Sequence, residues 1–158
     1  MKTRVFSLLV DDQPGVMQRI SMIFGRRGIN IDSITVGKST TPGEARIILL
    51  FKCNDKQAYL MKALLKKLVQ VKDVDELDYE SSILRELALI KVRFPEEDIK
   101  LKIMKEIDEY GARILYVGIN YLILEVSGDS NKVQKFLEEM DPRLKIEVVR
   151  SGLAAMPI

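Results

Sequence analysis

The strongest constraint on this chain is a change of hydrophobic period that occurs twice in the same order. Residues 4 to 10, Arg-Val-Phe-Ser-Leu-Leu-Val, form an apolar run of strand length. Pro14-Gly15 then opens a segment in which Val16, Met17, Ile20, Ile23 and Phe24 recur at helical spacing. Gly28 follows the basic pair Arg26-Arg27 where the helix should stop, since glycine accepts the left-handed turn past a helix end and cations suit its negative pole. The spacing predicts a helix over 15–27. Two strands follow, 29–37 and 45–53, around the turn Ser39-Thr40-Thr41-Pro42-Gly43, and Ala45, Ile47, Leu49, Phe51 and Cys53 alternate along one face of the second. Asn54-Asp55 can cap a helix with the stripe Ala58, Met61, Leu64, Leu65 and Leu68, after which 71–77 reads as a fourth strand.

The order β-α-β-β-α-β then repeats. Residues 85–94 read as a strand, and Pro95-Glu96-Glu97-Asp98 suits the positive end of a helix whose buried stripe is Ile99, Ile103, Ile107 and Tyr110. Gly111 stops that helix, 113–117 and 121–126 form strands about Gly118-Ile119-Asn120, and Asp129-Ser130 caps a helix with the stripe Val133, Phe136, Leu137 and Met140. Residues 144–149 close the unit. The expected fold class is therefore α+β, with two tandem ferredoxin-like (βαββαβ) domains at 1–78 and 79–158, joined at Tyr79-Glu80-Ser81-Ser82. Ile48 and Leu50 lie on the strand face opposite the helix-facing set, which predicts cover from another subunit or domain and hence self-association.

Composition narrows the function classes. Of 158 residues, 47% are apolar and 30% charged, as in a folded chain rather than a disordered one. The 25 Lys and Arg exceed the 23 Asp and Glu by only two and are dispersed, so no nucleic-acid partner is expected. The central strands also lack the aromatic stacking pairs that an RNA-binding version of this fold carries. No apolar run has the length of a secretory or membrane-spanning segment, so no membrane partner is expected, and the single Cys53 fits a packing role in a reducing, cytoplasmic setting. Histidine is absent, which removes the usual proton-transfer group near neutral pH and a frequent metal ligand. Many catalytic and zinc-site designs are thereby removed, and neither catalysis nor a metal site is expected.

The chemically informative stretch is Val10-Asp11-Asp12-Gln13-Pro14-Gly15-Val16, which runs straight into a helix. A helix N-terminus offers unpaired backbone N–H groups and partial positive charge, so it can hold a carboxylate without a basic side chain. Asp12 supplies the opposite polarity for an ammonium group, and Gly15 lets a ligand approach the backbone closely. That combination suits a zwitterionic amino acid. The plainer alternative makes Asp12 an N-cap and Pro14-Gly15 a turn. Asn30 is a second polar candidate, or a local turn residue.

The run Val10-x-Asp12-x-Pro14-Gly15-Val16-x-x-Arg19-Ile20-x-x-x-Phe24-x-Arg26-Arg27-Gly28-x-Asn30-Ile31-x-Ser33-x-Thr35-Val36-Gly37 resembles the N-terminal ACT domain of acetohydroxyacid (acetolactate) synthase regulatory subunits. The resemblance continues through Lys66-Lys67-Leu68-Val69-x-Val71, residues 85–92 and Arg150-Ser151-Gly152. It implies a non-catalytic subunit of branched-chain amino-acid biosynthesis that activates a catalytic large subunit and confers feedback inhibition by valine or a related amino acid. Thiamine diphosphate and magnesium, with FAD as a further candidate, would belong to that partner. The resemblance also implies a homodimer through the ACT domains, in which Asp12, Gly15 and Val16 of one chain meet Asn30 and Ile31 of the other around the effector. Asp12 stands where members often carry Asn. A free-standing tandem-ACT sensor for another partner is the alternative.

Overall fold

Strand β1 (Lys2–Asp11) is flanked on both sides in the computed structural model, which describes residues 1–93 and 97–158. Helix α1 (Val16–Arg26), strands β2 (Ile31–Lys38) and β3 (Glu44–Cys53), helix α2 (Asp55–Lys66) and strand β4 (Val71–Leu77) complete the first repeat. The sheet order is β2-β3-β1-β4 with every neighbouring pair antiparallel. Pairing registers Phe6 with Leu49 and Leu8 with Ile47, so the alternating residues of β1 and β3 share the helix-facing side. There they meet Val16, Ile20 and Phe24 of α1 and Ala58, Met61 and Leu65 of α2 in one apolar cluster. Phe51 sits at its centre, with Phe6 and Phe24 edge-on to it at 4.9 Å each.

Local chemistry accounts for the helix ends. Asn54 caps α2 by accepting from Gln57 N–H at 2.8 Å, while the Gln57 side chain accepts from Asn54 N–H at 3.1 Å, a reciprocal capping box. At the end of α1, Gly28 N–H and Ile29 N–H turn back to the carbonyls of Gly25 and Phe24. Arg4 ties β1 to its surroundings by pairing with Asp55 and, at 2.7 Å, with Glu76. The Arg4 contact, with Lys2 nearby, holds the Asp55 carboxyl below its ordinary range. Cys53 is fully buried, and burial pushes its thiol above the ordinary value despite the opposing Arg4 charge.

The second repeat comprises β5 (Ser82–Arg93), α3 (Glu97–Tyr110), β6 (Arg113–Val117), β7 (Tyr121–Gly128), α4 (Ser130–Glu139) and β8 (Lys145–Arg150). Its sheet order, β6-β7-β5-β8, repeats that of the first. Ile99, Ile103 and Ile107 of α3 and Val133 and Phe136 of α4 pack on Ala88, Ile90, Val92, Leu122, Leu124 and Val126. Asp129 caps α4 through Lys132 N–H at 2.8 Å. The predicted helix start at Pro95-Glu96 lies outside the described residues.

The bounds of the two units differ from the sequence expectation. The chain divides at Ile83/Leu84, and Leu153–Ile158, which include β9 (Ala154–Pro157), group with the first unit rather than the second. Ile158 N–H accordingly donates to Ser81 O at 3.0 Å. Ile48, opposite the helices, is only 5% exposed within the single chain, so this position is covered as its apolar character requires. The exposed apolar residues of this sheet lie instead on the edge strand β2, where Ile34 and Val36 are 38% and 50% exposed.

Candidate functional site

The β1–α1 loop is held by its backbone and by one cation. Asp11 N–H donates to Gln70 O and Asp12 N–H to Gly43 O, both at 2.9 Å, and Gln13 N–H turns back to Asp11 O at 3.0 Å. Lys72 on β4 bridges the Asp11 carboxylate at 3.2 Å and Glu44 at 2.7 Å. Those two contacts raise the Lys72 pKa and keep its charge in place. Strands β1, β3 and β4 thus all anchor the loop. None of Gly43, Glu44, Gln70 and Lys72 was marked by the sequence, because their convergence depends on strand register and on the irregularity between Leu9 and Val10 in the β1–β4 pairing.

The residue at the N-cap of α1 is Gly15, not Asp12. Gly15 has φ 88°, a left-handed conformation natural to glycine, and no side chain caps the first turn. Val16 N–H reaches Gln13 O only at 3.4 Å. A helix begins with four N–H groups that lack intrahelical partners, so an uncapped first turn presents donors and positive potential at this end of the sheet. Asp12 is exposed beside it. The Val16 side chain belongs to the core at 4% exposure, which leaves its backbone as the part able to face a ligand.

Asn30 and Ile31 lie elsewhere. Ile31 is opposite Phe51, and Phe51 is opposite Arg4, so the start of β2 is level with the start of β1. Asp11 and the loop are at the other end of β1, about 23 Å away at ~3.3 Å per residue. Asn30 is exposed, with its amide 3.4 Å from the Asp32 carboxylate, and Ile31 is half-buried against the core. Within one chain the five residues therefore fall into two groups at opposite ends of the sheet: an uncapped helix terminus with Asp12, and an apolar shoulder with an amide.

Among the described residues no group of side chains has the arrangement of a metal site, and no helix is long and apolar enough to cross a membrane. On the second unit, Tyr116 and Tyr121 stack at 5.7 Å and Lys91 lies 4.8 Å over the Tyr121 ring. Tyr116 is on the edge strand β6 and Tyr121 on its neighbour β7.

Comparison with known proteins adds the following. Residues 6–73 match the AHAS small subunit-like ACT domain, and residues 85–157 match the small subunit of acetolactate synthase. The chain is 38% identical over 154 residues to a probable acetolactate synthase small subunit of Methanothermobacter thermautotrophicus, covering 98% of this chain and 92% of that protein. It is 36% identical over 150 residues to a probable acetolactate synthase small subunit of Archaeoglobus fulgidus, covering 95% and 93%. The crystal structure of the acetolactate synthase small subunit from Thermotoga maritima superposes with a TM-score of 0.90 at 37% identity, covering 100% of this chain and 98% of that one.

Proposed function

The chain belongs to the acetolactate synthase small-subunit family, and from that premise we propose that it is a non-catalytic regulator that binds the cytoplasmic catalytic large subunit, raises its activity and confers feedback inhibition by a branched-chain amino acid, valine first. The observation that carries the proposed effector site is the separation of its halves. Asp12, Gly15 and the Val16 backbone lie at one end of the first sheet and Asn30 and Ile31 at the other, so a complete site needs two copies.

Strand β2 is the edge that can bring them together. Its outer N–H and C=O groups have no neighbouring strand in the sheet order, and Ile34 and Val36 expose apolar surface along it. Antiparallel pairing of two β2 edges about a two-fold axis sets the start of one strand beside the end of the other. The start carries Asn30 and Ile31; the end lies on the side of the sheet where α1 begins. Two identical sites result. In each, first-turn N–H groups near Gly15 take the effector carboxylate, Asp12 and loop carbonyls take the ammonium, Asn30 adds a polar contact, and Ile31 supplies part of an apolar wall. Because each ligand touches two chains, its binding favours whichever assembly best shapes the site.

Decarboxylation and carbon–carbon bond formation fall to the large subunit and its thiamine diphosphate. The test is reconstitution: the purified chain alone should form no acetolactate from pyruvate, should raise turnover when mixed with its large subunit, and should make that turnover sensitive to valine. Unchanged large-subunit activity at saturating small subunit would overturn the regulatory reading.

A further inference from the structure

The covalent chain passes between the two units twice, inside β5 at Ile83/Leu84 and again at Gly152/Leu153. The second passage is pinned on both sides. Ser151 N–H donates to Leu87 O at 2.9 Å, and Ser151 Oγ accepts from Leu87 N–H at 3.0 Å and donates to Gly152 O at 2.8 Å. The two bonds with Leu87 hold Ser151 on β5 of the second unit. After the left-handed Gly152, at φ 82°, Leu153 is fixed in the first unit: it is 2% exposed and its N–H donates to Ser33 Oγ at 3.3 Å.

Ser33 is not an arbitrary anchor. It lies on β2, two residues past Ile31, and the β2–β3 pairing changes register between them: Ile31 opposes Phe51 and Ser33 opposes Leu50. Asp32 is the extra residue of this irregularity, which turns Ile31 toward the helices and Ser33 toward the opposite face. The Asn30 amide reaches the Asp32 carboxylate at 3.4 Å. A ligand that fixes Asn30 and Ile31 therefore bears on the one irregular residue of the strand, and the next residue along holds the Leu153 amide.

We propose that residues 151–153 are a latch that ties occupancy of the effector site on β2 to the second unit, with the irregularity at Asp32 as the yielding element and Ser33 as the catch. The latch rests on the effector reading above. Ligand at Asn30 and Ile31 firms β2 around Asp32, which holds Ser33 Oγ in place for Leu153; without ligand the irregularity relaxes and the latch opens more often. Linkage makes the effect reciprocal, so a weakened latch also weakens effector binding.

The test follows amide hydrogen exchange at Leu153 in the full chain, with valine as the probe and calorimetry for binding. Valine should slow exchange at Leu153 by at least about fivefold, the lower end of ordinary allosteric coupling. At saturating valine Ser33→Ala should lose that slowing, and both Ser33→Ala and Leu153→Ala should weaken valine binding by a similar factor. A purely structural hydrogen bond would instead raise exchange in Ser33→Ala equally with and without valine. Valine binding with unchanged Leu153 exchange in the wild type, or undiminished slowing in Ser33→Ala, overturns the latch alone. Absence of valine binding to the wild type overturns the effector reading and the latch with it.

Discussion

Replacing Gly15 by Asn and by Asp separates the charge at the helix terminus from its shape. A Cβ built on Gly15 meets nothing within 4 Å, so the structural cost of substitution comes from the backbone at φ 88° rather than from a clash. For alanine that cost is about 1–2 kcal/mol, whereas Asn and Asp visit the left-handed region more readily. Both can also cap the first turn, and each should weaken effector binding by occupying its donors. They differ by one negative charge. Placed about 5 Å from a bound carboxylate at an effective dielectric between 80 and 20, that charge is worth about 0.8–3.3 kcal/mol. Gly15→Asp should therefore bind valine about four- to 250-fold more weakly than Gly15→Asn by calorimetry at low ionic strength. The gap should narrow as added salt screens the pair. Equal affinities at low salt, or wild-type affinity in the Asp variant, would refute the placement of the carboxylate at this terminus.

Three further outcomes concern stability. Phe51→Ala removes the ring that both Phe6 and Phe24 contact edge-on and should lower first-unit stability by about 3–5 kcal/mol in urea unfolding. Asn54→Ala removes half of the capping box and should cost about 1 kcal/mol, read as a shifted urea midpoint at unchanged slope. Asp141 accepts from the Arg143 Nε at 3.0 Å, Nη2 at 2.9 Å and backbone N–H at 3.0 Å, and from Lys102 at 3.3 Å. The Arg143 contacts foremost hold its carboxyl well below the ordinary carboxylate range. A depressed native pKa stabilises the fold at pH above the unfolded value of about 3.9 and is lost as pH falls toward the native value. Thermal unfolding of Asp141→Asn should show a flatter acid limb than the wild type below about pH 4; identical limbs would remove Asp141 from the acid response.

Local spacing made much of the fold legible. Val16, Ile20 and Phe24, and again Ile99, Ile103 and Ile107, mark buried stripes because side-chain direction in a helix follows from residue number alone. Asn54 and Asp129 cap through neighbours three residues away, which a sequence displays directly. Features set by register were not legible. Lys72 reaches Asp11 only because β1 and β4 pair with an irregularity, and Ser33 meets Leu153 across 120 positions of sequence. The tail has no period to announce β9, so sequence order placed it in 79–158, whereas it groups with the first unit. At the candidate site, residue types were readable, but the left-handed Gly15 and the core placement of the Val16 side chain required backbone geometry.

The sealed environment of Cys53 makes the chain its own stopwatch. It is the single thiol among 158 residues, fully buried on β3 and less acidic than an ordinary thiol. Thiolate is the reactive form, so an alkylating reagent finds almost nothing to modify in the closed molecule and reacts when the first unit opens. With reclosing slower than labelling, the rate of modification counts openings of the first unit; with reclosing faster, it measures the open fraction. In either regime one mass shift, without a fluorophore or an engineered residue, reports how an added amino acid changes the lifetime or population of that unit.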